Sequence, residues 1–369
     1  MAALRALSFP FAACAMMIEA LNTAAVRSNS PDGHLREREH GLPNGAPPQP
    51  ETAMLRPSLR RFAHSGSKTP LAAGDNLRAS LAVLAGMALF ICNDTLTKTV
   101  SDTLPTGQII TLRSAFALAF IVPLAFYTGA LRDLRAAYAP AMIWRNIGEA
   151  GGVLLYLTAL FNMPIANATA IMQVLPLAIT AGAALFLGER VGWRRWLAAG
   201  IGLIGVLIII KPGHNAFNAW SLAALIGVFF IVLRDLATRR LPTHTPTLYV
   251  TTVTAAVVTV AGLGLGLFET WMMPRAVELL MLAGAALFVL GGYAAMIYAM
   301  RAGEVSAIAP FRYSIILWAI AIGYVVWGDV PTLSTLLGIA IVVGAGLYTF
   351  YRERTLERAT SGGQSKAGR

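Results

Sequence analysis

The stretch at 89–98, LFICNDTLTK, decides the fold of this chain, because a related stretch, FIVLRDLATR, occupies 230–239. The shift between them is 141 residues, and it stays at 140 to 141 from the first apolar run to the last. The chain is therefore built from two related halves. The aligned pairs are Asn93-Asp94 with Arg234-Asp235, Lys98 with Arg239, Pro105 with Pro246, Gly151-Gly152 with Gly291-Gly292, Ala159 with Ala299, and Gly188-Glu189 with Gly328-Asp329.

Long apolar runs fill both halves. Of the 369 residues, 56% are hydrophobic and 13% are charged, whereas soluble domains carry about 25% charged residues. A helix needs about 20 apolar residues to cross a bilayer. The sequence therefore predicts an all-α integral membrane protein with ten transmembrane helices. The predicted spans are 77–97, 106–128, 142–161, 166–187, 193–210, 217–237, 247–268, 276–299, 306–327 and 332–351.

The basic residues predict an orientation. Alternate connections between the spans carry 15 and 3 Lys and Arg residues, and basic residues in short loops stay on the cytoplasmic side. We therefore expect both termini in the cytoplasm. The net charge of +11 does not indicate binding of nucleic acid, because the bases lie at helix ends and not on one face of a soluble module.

The predicted domains follow the repeat: 77–211 holds the first five spans and 217–351 holds the second five. Because five is odd, the second copy enters the membrane from the opposite side. Such inverted repeats enclose a midplane site in secondary transporters. Residues 1–76 are rich in Pro, Gly, Ser and Arg, which is typical of disorder, and are predicted to be a disordered or mis-annotated extension. Residues 352–369 are predicted to be a cytoplasmic tail.

Motifs in both halves resemble the EamA branch of the drug/metabolite transporter superfamily. They are Tyr156, Ala159, Ala166, Ala168, Pro176, Leu187-Gly188-Glu189, Gly200 and Gly205 in the first half, and Tyr298-Ala299, Ala309-Pro310, Tyr313, Trp327-Gly328-Asp329, Pro331, Gly338 and Gly344 in the second. The resemblance implies ten helices and movement of small metabolites across the bacterial inner membrane, with protons as a candidate coupling ion. Pro105-Thr-Gly-Gln-Ile with Arg113 looks most like the group that imports riboflavin and S-adenosylmethionine. The family also includes exporters of amino acids.

Four ionisable residues lie deep in the predicted spans, where a charge is costly unless it faces the protein interior. Arg113 lies about seven residues, or about 10 Å, into the second span. It is predicted to be a substrate or gating residue, or else a structural partner of Asp94. Glu149 is predicted to carry a proton, because a carboxylate in a low-dielectric cavity can load and release one near neutral pH. The alternative is a salt bridge to Arg145.

The fourth residue, Arg312, follows a proline and precedes Tyr313. A guanidinium binds carboxylate or phosphate and stacks on rings, which suits an anionic or planar solute. Tyr293 is a candidate for the wall of the same cavity. The remaining candidates are gates at opposite faces, namely Lys98 beside Asp94 and the aligned Asp235 and Arg239. These pairs could equally be ordinary i, i+4 surface ion pairs.

Other classes of protein fit the sequence less well. The chain lacks H-E-x-x-H, G-x-S-x-G and G-x-x-x-x-G-K-[ST] motifs, so we predict neither an enzyme nor an ATP-driven pump, and no metal or cofactor. The G-x-G-x-x-G pattern at 200–205 lies inside an apolar span. Together with Gly148, Gly152, Gly262 and Gly266 it indicates close helix packing. A channel, a membrane scaffold and a homodimer stay open.

Overall fold

Helices are the only extended regular elements in the computed structural model, which describes residues 73–131, 139–187, 192–210, 219–242, 245–302 and 308–366. Most of the predicted extension, residues 1–72, and the aligned Gly188-Glu189 lie outside these ranges. The first half forms α1 (Ala73–Val100), α2 (Thr106–Tyr127), α3 (Pro140–Phe161), α4 (Ile165–Met172), α5 (Leu175–Leu187) and α6 (Trp193–Ile210). The second half forms α7 (Ala219–Thr238), α8 (Thr247–Gly266), α9 (Ala276–Ala302), a 3₁₀ helix (Ala309–Tyr313), α10 (Ser314–Trp327) and α11 (Leu333–Lys366).

Prolines mark the helix starts. Pro105 and Pro246, which are aligned in the repeat, precede α2 and α8 with φ near −69° and −64°. Pro140 lies in the first turn of α3. Proline suits this position because its φ is already helical and its missing N–H would have no partner in the first turn. Equivalent helices of the two halves therefore begin at equivalent residues.

Two predicted spans are interrupted, and the interruptions correspond between the halves. The fourth predicted span divides at Gln173 and Val174 into α4 and α5, and the ninth begins with the 3₁₀ helix that ends at Tyr313. At a shift of 140 residues, Gln173 aligns with Tyr313. Pro176 removes one N–H from the hydrogen-bond ladder just after the first break, and Pro310 lies at the start of the 3₁₀ helix.

The all-helical class is confirmed for the described residues, but the count of ten spans stays a prediction. Eight segments of the described ranges are long and apolar enough to cross a membrane, and the apolar stretch Leu333–Thr349 of α11 is shorter. Helix α3 is not among the eight, and it carries Arg145, Asn146 and Glu149 in its first half. The most polar helix of the first half is therefore also one that holds candidate site residues.

The helices of one half pack mainly on those of the other. The largest contacts join α3 with α7, α1 with α9, α2 with α8, and α6 with α11. Exchanging the halves turns the α3–α7 contact into α9–α1 and maps each of the last two contacts onto itself. This pairing indicates a pseudo-two-fold relation between the repeats.

Glycines allow these close contacts, as predicted for most of them. A Cβ on Gly148 would lie 2.6 Å from the backbone nitrogen of Arg234, and one on Gly262 would lie 2.9 Å from that of Thr111. In the 200–205 pattern, a Cβ on Gly205 would meet Val342 at 2.9 Å, whereas one on Gly200 would have nothing within 4 Å. The pattern is therefore a packing surface in which Gly200 takes no part.

Candidate functional site

The first part of the site surrounds a buried carboxylate in α1. Asp94 is 8% exposed and accepts hydrogen bonds from the hydroxyl of Tyr156 at 2.7 Å and from the side-chain amide of Asn93 at 2.9 Å. The Nη1 of Arg113 donates to Oδ1 of Asn93 at 3.2 Å. Asp94 and Arg113 are thus connected across the first two helices, as one alternative predicted, but through Asn93. Tyr156 ties both to α3.

The second part is an ion-pair chain between α3 and α7. Arg234 donates from Nη1 to Oε2 of Glu149 at 3.2 Å and from Nε to Oδ1 of Asp235 at 2.7 Å. Only 10% of the Glu149 side chain and 22% of that of Arg234 are exposed. The Gly148 contact explains the geometry, because the missing side chain lets the α7 backbone approach the turn that carries Glu149.

Arg234 was missed by the sequence analysis, which predicted Arg145 as the alternative partner of Glu149. In the structure the guanidinium of Arg145 donates to Oγ1 of Thr254, whose hydroxyl lies 3.4 Å from Oδ1 of Asn146. Its Nε is buried and has no hydrogen-bond partner among the described residues. A signal for Arg234 was present in the sequence, since it aligns with Asn93 beside a candidate aspartate.

Tyr293 in α9 lies next to both parts. Its hydroxyl interacts electrostatically with Glu149, Arg234 and Arg113. Its ring meets Phe90 edge to face, with centroids 5.3 Å apart. Protein surrounds Tyr293, yet 44% of the residue is exposed. Both properties hold for a side chain that lines an internal cavity, so this tyrosine lies where a solute could reach the charged groups.

Arg312 lies on the 3₁₀ helix and is exposed. Its charge interacts with those of Asp235 and Arg234, which connects it to the ion-pair chain. Tyr313 behaves differently: its hydroxyl occupies the space that a side chain at Gly346 of α11 would need. The structure therefore brings Arg312 to the charged network and packs Tyr313 against α11.

Lys98 lies apart from the network, at the end of α1. Its ammonium donates to the carbonyl oxygens of Leu160 and Met163, at 2.7 Å each, and lies 5.6 Å from the ring centre of Trp327. Asp94 is buried and points to other groups, so the two residues do not behave as a surface i, i+4 pair. The aligned Arg239, near the end of α7, is exposed.

A cavity of about 290 Å³ lies near the Lys98 end of the bundle. Polar side chains in its lining include Asn167, Ser221, Asp329 and Thr335. Within the described ranges, no group of three or more His, Cys, Asp or Glu side chains is placed to hold a metal ion. The chemistry available in the described residues is therefore that of arginines, carboxylates and phenols.

Comparisons with known proteins agree with this architecture. A model of the EamA-like transporter family matches residues 77–211 and 218–351. The chain is 26% identical over 268 residues to an S-adenosylmethionine uptake transporter of Rickettsia felis, covering 71% of this chain and 88% of the relative. It is 29% identical over 262 residues to a riboflavin transporter of Vibrio cholerae, covering 70% and 88%.

Two more similarities extend this picture. The pseudopaline exporter CntI of Pseudomonas aeruginosa is 26% identical over 267 residues, which is 72% of this chain and 93% of the exporter. A solved crystal structure superposes on 75% of this chain and 99% of its own, with a TM-score of 0.52 and 21% identity. The latter likeness concerns the fold alone.

Proposed function

Because the chain belongs to the EamA-like transporter family, we propose that it is a secondary-active carrier for uptake of a small organic metabolite across the bacterial inner membrane. The best candidates are riboflavin and a similar planar or charged metabolite such as S-adenosylmethionine. In this proposal the chain crosses the membrane ten times as two inverted repeats, with both termini in the cytoplasm.

The observation that carries this proposal is the network of charged side chains between the two halves. The Arg234–Glu149 ion pair joins α7 to α3, and the Tyr156–Asp94 hydrogen bond joins α3 to α1. A transporter that works by rocking one repeat against the other must rearrange such contacts in each cycle. A charged network at the moving interface can therefore respond to a bound solute or to a proton.

We propose that Lys98 helps to close one face of the bundle. Its ammonium holds the last carbonyls of α3 and lies against Trp327 at the end of α10. The equivalent position at the opposite face holds Arg239 and, nearer the network, Asp235. Opening and closing of the two faces would then alternate, with Lys98 released when Asp235 and Arg239 close the other face.

Export is the alternative function, and the similarity to a pseudopaline exporter favours it. The contacts described above serve movement in either direction, because alternating access is reversible and the gradient decides the net flux. Exporters of amino acids or other metabolites therefore remain the second candidate. A channel is the third, since a charged cavity also suits a pore.

Transport by the purified full-length protein in liposomes tests the proposal. Riboflavin, S-adenosylmethionine and an amino-acid panel would be offered with and without a pH gradient. We expect saturable uptake of one solute that responds to the gradient. Linear flux that ignores the gradient would indicate a pore. Accumulation only in liposomes of the opposite orientation would indicate an exporter.

A further inference from the structure

We infer that the transported solute is an organic anion whose carboxylate or phosphate group binds Arg145 and Arg312. The inference rests on the proposed transport function and narrows its substrate class. It favours an acidic metabolite over a cation, although proteins similar to this chain include both riboflavin and S-adenosylmethionine transporters.

The first argument is the balance of charge in the network. Four arginines face three carboxylates among its described side chains, so the cations are in excess. Both ion pairs within the network are made by Arg234, which holds two of the three carboxylates. The third carboxylate, Asp94, accepts from neutral groups. The members are Arg113, Arg145, Arg234, Arg312, Asp94, Glu149 and Asp235.

The second argument is the number of free donors. A guanidinium carries five N–H donors. Arg145 donates to Thr254, while its buried Nε has no partner among the described residues. Arg312 makes no hydrogen bond to any described residue and interacts with Asp235 and Arg234 through charge alone. Two arginines beside the same ion-pair chain thus keep donors for an anionic ligand, which can accept two at once.

The third argument is access. Arg312 is exposed, and the partly exposed Tyr293 lies near Arg145 and Arg234. The edge-to-face pair of Tyr293 and Phe90 offers an aromatic surface to the rest of the solute. An anion that enters there would meet the free donors first. A cation would meet an excess of like charge.

Closing the site makes this preference stronger. Taking an unpaired charge out of water is unfavourable, so the excess cation opposes an occluded, empty carrier. A bound anion removes the excess, whereas a bound cation doubles it. The anion would therefore stabilise the occluded state that transport requires.

Two matched pairs of probes test the inference with the full-length protein in lipid nanodiscs. Riboflavin is neutral and its 5′-phosphate is anionic; S-adenosylmethionine carries a sulfonium charge that S-adenosylhomocysteine lacks. Because charge-assisted hydrogen bonds are about twice as strong as neutral ones, we expect the flavin phosphate to bind at least about tenfold more tightly than riboflavin. S-adenosylmethionine should bind no more tightly than S-adenosylhomocysteine. Equilibrium binding and thermal stabilisation measure both.

Single variants assign the effect to the two residues. Arg145→Gln and Arg312→Gln should each reduce the preference for the flavin phosphate at least about threefold. The matched control is Arg194→Gln, which removes an exposed arginine that lies over Trp193 outside the network and should leave the preference unchanged. Equal loss in all three variants would mean a general effect of charge and would overturn the assignment.

The same measurements separate this inference from the proposed function. Tighter binding of riboflavin than of its phosphate, tighter binding of S-adenosylmethionine than of S-adenosylhomocysteine, or no binding across a panel of carboxylates and phosphates would overturn the inference. Gradient-driven uptake of a neutral or cationic solute would do so while leaving the transport function intact. Selective anion binding without any uptake would have the opposite meaning.

Discussion

Asp94 in α1 and Asp235 in α7 occupy equivalent positions of the repeat, but their neighbours differ in charge. Asp94 accepts from the neutral Tyr156 and Asn93 at 2.7 and 2.9 Å. Asp235 accepts from the guanidinium of Arg234 at 2.7 Å. The residue before each aspartate makes the difference, since it is Asn93 in one half and Arg234 in the other.

This difference assigns separate tasks to the two halves. A cation at hydrogen-bond distance keeps a carboxylate ionised, whereas neutral donors allow it to exchange a proton more readily. The α7 side also needs a second counter-ion, which α3 provides in Glu149. We therefore expect the ion-pair chain of α7 to hold the halves together and Asp94 to change its charge during transport.

The largest effect is expected from Arg234→Gln. This change leaves Glu149, whose side chain is 10% exposed, without its cation. Removing one partner of a buried ion pair costs about 3 to 5 kcal/mol, so the free energy of unfolding should fall by about that amount. Denaturant unfolding of the full-length protein in detergent measures it.

The double variant Arg234→Gln/Glu149→Gln is the decisive comparison for this ion pair. Because it removes both charges, it should recover at least half of the stability lost by Arg234→Gln alone. Arg194→Gln serves as the control for loss of an arginine. A double variant as unstable as the single one would show that the ion pair does not hold the halves together.

A smaller effect is expected from the glycines at the two equivalent interfaces. In Gly148→Ala, the new Cβ would lie 2.6 Å from backbone atoms of Arg234 and Phe230, so α3 and α7 must separate. Overpacking of this kind costs about 1 to 3 kcal/mol. In Gly86→Ala, at the α1–α9 interface, the nearest atoms lie at 3.3 Å, and the better helix propensity of alanine offsets the crowding.

The same unfolding measurement compares the two alanine variants. We expect Gly148→Ala to be destabilised and to lose transport, with Gly86→Ala close to the unchanged protein. Similar losses in both would mean that the α3–α7 interface has no special role in placing Glu149 beside Arg234.

Much of the fold could be predicted because it depends on local properties of the chain. Apolar length identifies spans, and the shift of 140 to 141 residues identifies the repeat. The breaks at Gln173 and Tyr313 were not predicted, since a proline near a helix start is common and does not by itself show that a span is divided. Their signals, Pro176 and Pro310, were visible and were interpreted only as family motifs.

The site could be predicted by depth but not by partner. Asp94, Arg113 and Glu149 were found because charges inside apolar runs are rare. Arg234 was missed because the apolar run of α7 ends near it, so it was counted among the helix-end cations. Its partnership with Glu149 depends on how closely α3 approaches α7, which the sequence indicates only through Gly148.

The most specific test of the comparison between the halves concerns the proton. Asp94→Asn should reduce accumulation driven by a pH gradient at least about tenfold, equivalent to about 1.4 kcal/mol of coupling, while exchange of solute without a gradient continues. The reason is that an amide preserves hydrogen bonding near Tyr156 but cannot take up a proton. Counterflow and gradient-driven uptake in liposomes measure the two activities separately.

Glu149→Gln is the opposing variant, since the sequence predicted Glu149 as the proton carrier. Because Arg234 holds this carboxylate at 3.2 Å, we expect Glu149→Gln to weaken both activities together and to keep the response to the gradient. Asp102→Asn, at an exposed position after α1, is the control and should change neither. If Glu149→Gln abolishes the gradient response and Asp94→Asn retains it, the proton is carried in the ion-paired half, and the roles inferred for the two aspartate neighbourhoods must be exchanged.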